Sequence, residues 1–235
     1  MLRLTRRKVT AMSGYSGLPR GTVTFLSGLA ANNRKDWFEA HRSDYESDWR
    51  GAGLDLVSAL APFCAAASPG LEVVPKVGGS LRRINRDVRF SADKSPYQAM
   101  LHIALWRRGG PEHGGMHLAI GPTTLGFGAG EWGLAHDRLA RFRERVGKAD
   151  GRARLLKAAA HAEAAGSRWD EPDLKRVPPG FSADPDWDHL LRRKSVILRG
   201  EMPHPDWLFT PDSAAHLGPL IAAHLPLLAW LAGLD

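Results

Sequence analysis

Apolar positions along this chain follow a helical period at both ends and alternate with polar ones in the middle. From Asn33 to about Phe63, Trp37, His41, Tyr45 and Trp49 recur every fourth residue, and Leu56, Leu60 and Phe63 continue the stripe. That spacing predicts an amphipathic helix. Asn32 or Asn33 suits its N-cap, or a donor to a ligand, and Asp36 and Glu39 favour the helix dipole. Gly51 and Gly53 weaken the middle, so two helices meeting there is the alternative. Thr22–Ala31 reads as a short preceding helix. After a Pro/Gly/Ser-rich connection at 66–80, strand patterns cover Ser80–Phe90, Met100–Trp106, Met116–Ile120 and Thr124–Phe127. Helical periods return at Leu134–Val146 and Arg152–Ala165. A possible strand near Leu174–Val177, a short helix at Asp186–Arg193, a strand at Val196–Leu198 and a terminal helix from Asp212 complete the chain. Helices flanking a run of strands predict an α+β fold. It would be one domain over 22–235, a largely antiparallel sheet carrying the N- and C-terminal helices.

Composition adds mainly exclusions. At 43% hydrophobic and 24% charged, the 235 residues rule out wholesale disorder. The net charge of +7 is uneven: Arg3, Arg6, Arg7, Lys8 and Arg20 give the first twenty residues +5 without an acid, leaving a nearly neutral body. Residues 1–21 therefore read as a basic, flexible leader, and the body is a weak nucleic-acid surface. No apolar stretch follows the basic run, as a secretory signal requires. Leu217–Leu231 is interrupted by Pro219, His224 and Pro226 and reads as a buried helix, not a membrane span. The single cysteine, Cys64, excludes an internal disulfide and multi-cysteine metal sites. A cytoplasmic location follows by default.

The densest chemistry lies between Ser80 and Tyr97. On a strand, Arg82, Ile84, Arg86 and Val88 share one face, and Arg83, Asn85, Asp87 and Arg89 the other. Guanidinium forks hold carboxylates or phosphates bidentately, and lysine adds a point charge. Arg86, Arg89 and Lys94, with Ser91 or Ser95 as hydroxyl donors, would make an oxyanion clamp. Asp87 would orient Arg86 or act as a base, and Asp93 would orient Lys94. The same residue types also build an ion network that only pins a turn. His41, polar on an aromatic stripe that otherwise reads as core, is the second proton-transfer candidate.

Other motifs are weaker. Glu112 to His117 superficially offers metal ligands, but its glycines oppose the helix that a zincin pair needs, so no metal site is expected. Gly126-Phe-Gly-Ala-Gly130 lacks the context of a dinucleotide fingerprint and reads as a turn where backbone approaches another strand or a ligand closely.

Two strings carry a family resemblance. They are Asn32-Asn33-x-x-Asp36-Trp37-Phe38-Glu39 with Tyr45, and Arg86-Asp87-Val88-Arg89-Phe90-Ser91-x-Asp93-Lys94-x-Pro96-Tyr97. With Gly126–Gly130, Pro178-x-Gly180-Phe181 and Leu190–Ser195, they resemble the domain of unknown function 2461 family of bacterial and fungal proteins. The resemblance implies a single α+β domain; Tyr97, at the end of the second string, is a candidate binding residue. It carries no catalytic role onto any residue. Gly121 stands where the family often has an acid before the proline.

Three functions compete on these grounds. The first is an enzyme or enzyme-like domain binding a small phosphate or carboxylate through Arg86, Arg89, Ser91, Asp93, Lys94 and Tyr97, with His41 or Asp87 moving the proton. The second is an interaction protein whose Arg/Asp network is structural. The third is a nucleic-acid module using the leader, Arg82–Lys94 and Arg192-Arg193-Lys194. The sequence specifies no cofactor, membrane role or oligomeric state.

Overall fold

A computed structural model describes residues 15–67, 70–110, 113–182 and 184–234. Six strands form one antiparallel sheet in the order β1-β2-β3-β4-β6-β5. They are β1 (Leu71–Glu72), β2 (Leu101–Arg107), β3 (Gly115–Ile120), β4 (Thr124–Glu131), β5 (Arg168–Trp169) and β6 (Val196–Pro203). Alternation decides which face is covered. Leu101, Ile103 and Leu105 of β2, Met116, Leu118 and Ile120 of β3, Leu125, Phe127 and Ala129 of β4, and Val196 and Leu198 of β6 are buried. Their neighbours His102, Trp106, His117, Ala119, Gly126, Arg199 and Glu201 point to the opposite, open face.

Helices cover the apolar face. The N-terminal layer contains α1 (Arg20–Ala31), α2 (Lys35–Ala40), the single turn α3 (Arg42–Asp44), a π-helical turn (Tyr45–Gly51) and α4 (Ala52–Ala65). The C-terminal layer contains α5 (His136–Gly147), α6 (Ala149–Ala164), the short α7 (Asp188–Leu191) and α8 (Ser213–Ala232). Among the described residues α8 alone is long and apolar enough to cross a membrane. It packs against the sheet instead, burying Leu217, Ile221, Leu227, Leu228 and Leu231. The fold is thus the single α+β domain that the pattern predicts.

Four sequence expectations change. The helix over 33–63 is interrupted at His41 and re-forms through the π-helical turn, a register shift that puts Trp49 wholly inside the core. Neither Asn32 nor Asn33 caps α2, whose N-cap is Arg34. Asn33 instead clamps Tyr97 in both directions, donating Nδ2–H to its carbonyl at 2.8 Å and accepting its N–H at 3.1 Å. Leu174–Val177 is irregular, and the edge strand is Arg168–Trp169. The fourth change is largest: Ser80–Phe90 is not a strand, and only Leu81 and Asn85 make isolated bridges. Its first residues run beside β2, with Arg82 N–H donating to the His102 carbonyl and Ala104 N–H to the Ser80 carbonyl, both at 2.8 Å. Ile84 and Arg86 then pair with Gln98 and Pro96, and from Asp87 on the side chains bond locally, so the backbone pairing is too broken to make a ladder.

Most of the leader falls outside the described residues. Its described end is packed: Leu18 is buried and Tyr15 shares a 2.7 Å hydrogen bond with Ser213 of α8.

Because Asn33 holds a buried tyrosine's backbone with two bonds, Asn33→Ala is expected to cost about 1–3 kcal/mol. Chemical denaturation of wild type and variant measures this directly.

Candidate functional site

The expected anion clamp forms a turn closed on itself. Arg86 pairs with Asp93 and reaches Ser91 Oγ at 3.5 Å, while its N–H donates to the Pro96 carbonyl at 2.9 Å. Arg89 grips Asp87 at 2.7–3.2 Å, and Lys94 Nζ donates to the Val88 carbonyl at 3.0 Å. The Ser95 hydroxyl and N–H, and then Arg86, hold the Asp93 carboxyl far below the ordinary carboxylate range. Arg89 does the same, less strongly, for Asp87. A carboxylate so stabilised is a poor base near neutrality. Tyr97 is buried and stacked on Phe38 with ring centroids 4.2 Å apart.

His41 does not join this turn. It stacks on Trp37 at 3.8 Å and its Nδ1 lies 2.8 Å from the Trp37 carbonyl. With Gly21, Thr24, Asp44 and Asp48 it lines a separate cleft of about 480 Å³. The structure therefore gathers Arg86, Ser91, Asp93, Lys94 and Tyr97 in one turn, sets Asp87 with Arg89 beside them, and leaves His41 apart.

A larger cavity, about 900 Å³, lies on the open face of the sheet. Strand register builds it in rows. His102, Ala119, Gly126 and Glu201 align across β2, β3, β4 and β6, as do Ala104, His117, Gly128 and Arg199, then Trp106, Gly115, Gly130 and Ile197. Gly126, Gly128 and Gly130 thus make a bare floor between two walls. One wall carries His102, His117 and Trp106; the other carries Arg199, Glu201 and Ile197. Two strand spacings separate His117 from Arg199, about 10 Å between Cα atoms. The expected glycine turn is thus a strand: β4 continues through all three glycines to Glu131.

Not all this bareness serves the same end. An added Cβ at Gly128 would meet the Leu198 carbonyl oxygen at 2.6 Å, and one at Gly130, where φ is +149°, would clash with the Val196 oxygen still more closely. Backbone approach demands both glycines. Gly126 differs: its nearest neighbours would stand 3.5 Å or more from a Cβ, so the fold leaves that space open.

The two histidines touch. His102 Nε2 and His117 Nδ1 are 2.9 Å apart, and Trp106 meets His117 edge-on at 4.8 Å. Burial pushes both rings down to about 4, with Arg82 adding to the effect on each. At His117 the neighbouring His102 and Arg199 act in the same direction. Two positive side chains therefore raise the potential over a neutral imidazole pair. In such a pair one ring donates N–H to the other's lone pair, so a proton taken up at one outer nitrogen can be matched by release at the other. Arg82 extends over Trp106, its guanidinium carbon 6.0 Å from the ring centroid. Arg199 pairs with Asp170.

Neither histidine was singled out as a pair by the sequence. The signal was present, since both alternate with buried apolar residues on neighbouring predicted strands. His117 turns to His102, while Glu112, the other end of the superficial metal motif, lies outside the described residues. Among the described residues no three His, Cys, Asp or Glu side chains are placed to hold a metal ion. Ser167 and His224 also form a pair, at 2.8 Å, but both are wholly buried and tie the end of α6 to α8.

Comparison with protein families finds one matching model, described as a conserved hypothetical protein (DUF2461), over residues 21–230. No curated protein and no solved structure matches the chain.

Proposed function

The chain belongs to the DUF2461 family, and from that premise we propose an enzyme-like domain that binds a small carboxylate or phosphate in the open-face groove. The observation that carries this reading is the hydrogen-bonded His102–His117 pair in a cavity of about 900 Å³, with Arg82 and Arg199 close enough to depress it. Cavities of this size and mixed apolar and polar lining suit small-molecule ligands. The arginines supply the anion-holding charge; the imidazoles, at about 4, are bases as weak near neutrality as a carboxylate, and the pair moves a proton only by matched uptake and release at its two outer nitrogens. We favour the groove over His41 and Asp87 as the proton-transfer site, since His41 lies apart from the turn and Arg89 holds the Asp87 carboxylate. The Arg86–Lys94 turn reads as a brace, since Arg86, Arg89 and Lys94 all bond within it, whereas Asp170 engages Arg199 through Nη2 alone. Nucleic acid is the less favoured partner because the body is nearly neutral, and a cytoplasmic location remains part of the proposal.

Thermal unfolding against a panel of carboxylates and phosphates tests the reading. At a ligand concentration 100 times Kd, stabilisation of about 2.7 kcal/mol is expected, a rise of roughly 5–10 °C for a domain this size. Arg199→Ala should lose that rise while its unliganded melting temperature stays within about 2 °C, because its ion pair is exposed. A rise lost only in Arg86→Ala would return the site to the turn.

A further inference from the structure

We propose that the groove takes a zwitterion of amino-acid type bearing an aromatic ring, with its carboxylate on Arg199, its ammonium on Glu201 and its ring toward Trp106 and Trp132. This deepens the anion-binding reading and rests on it. Three features of the cavity set the order of groups. Trp106 and the largely exposed Trp132 lie at the end where Gly115 and Gly130 form the floor. Arg199 stands in the middle row, opposite His117; Asp170 engages its Nη2, so the ligand's carboxylate takes the other edge of the guanidinium. Glu201 occupies the far row, two residues along the same strand and on the same face, so cation and anion follow one another along the wall. A plain anion reaching past Arg199 would meet the Glu201 carboxylate and be repelled. A ligand carrying a positive donor there gains a charge-assisted hydrogen bond instead.

Gly126 supports the same assignment. It lies directly beside Glu201 in the register, and it is the floor glycine whose missing Cβ the backbone does not require. Its open space is where the ligand's ammonium crosses to Glu201. A side chain at 126 would stand in that path, and its Cβ would meet its neighbours at ordinary contact distance.

Calorimetric titration with phenylalanine and 3-phenylpropionate, which lacks only the amino group, tests the proposal on the full chain. Wild type should bind phenylalanine about tenfold or more tightly than 3-phenylpropionate. Glu201→Gln should weaken phenylalanine about ten- to hundredfold, the range of hydrogen bonds to charged groups, and leave 3-phenylpropionate unchanged or tighter. Gly126→Val should lose phenylalanine while keeping the wild-type melting temperature, and Gly126→Ala should be intermediate. If 3-phenylpropionate binds as tightly as phenylalanine, or Glu201→Gln weakens both alike, the zwitterion assignment is wrong and the anion site stands. If neither compound binds and no carboxylate or phosphate stabilises the protein, the groove reading fails with it.

Discussion

Glu131→Ala is expected to lower the melting temperature by roughly 6–20 °C. The carboxylate accepts Arg138 Nε at 2.8 Å and Nη2 at 2.7 Å, with both side chains almost wholly buried. The same guanidinium donates to the Leu231 carbonyl at 3.2 Å. Removing one partner strands the other charge in a low-dielectric interior, which costs about 3–5 kcal/mol. For a domain of this length that is roughly 2–4 °C per kcal/mol. The pair ties the end of β4 to α5 and the last turn of α8, so it also fixes the strand that floors the groove. Replacing both members, as Glu131→Leu with Arg138→Met, should recover much of the loss. Equal loss in the single and double variants would mean that packing volume, not the stranded charge, sets the cost. Thermal unfolding of the three proteins decides.

The second large effect is acid lability. His102 and His117 titrate near 4 in the folded protein and near 6.5 when unfolded. Between those values the unfolded chain binds more protons than the native one, so stability falls as pH falls. The contribution is fully present above about 6.5 and lost toward 4. A gap of about 2.5 pH units in one ring corresponds to roughly 3 kcal/mol. His224, also depressed by burial, adds in the same direction. Denaturant midpoints measured from pH 7.5 to 4 should drop steeply from pH 6.5 in wild type. The limb should be shallower in His102→Gln/His117→Gln. An unchanged limb would show that the pair is not held neutral.

The architecture was legible wherever one face of an element is buried. The alternation of Leu101, Ile103 and Leu105, and of Met116, Leu118 and Ile120, identifies β2 and β3 within a residue or two. Packing against the sheet makes the long α8 equally readable, whereas of the fourfold stripe only Trp49 is buried and Trp37, His41 and Tyr45 stay half-exposed. Ser80–Phe90 fails for a physical reason. It makes only broken backbone pairing, with β2 at Ser80–Arg82 and with Pro96–Gln98 at Ile84–Arg86, before closing on itself from Asp87, and sequence alternation cannot distinguish that from a ladder. The glycines fail the other way: Gly128 and Gly130 look like turn residues, yet they sit in a strand because neighbouring carbonyls approach too closely for a side chain. The groove was hidden because its chemistry is distributed. His102 and His117 lie on different strands, and Arg199 reaches them only across the bare backbone of Gly128.

The most direct test is histidine nitrogen NMR of the folded protein at pH 7 during titration with a carboxylate or phosphate from the stabilising panel. The account predicts two neutral, mutually hydrogen-bonded rings, His102 and His117. Their signals should move before that of His41, and their protonation should shift to higher pH as the bound anion favours imidazolium. If both rings stay unmoved while His41 or the amides of residues 86–97 respond, the ligand binds elsewhere and the open-face groove is not the site.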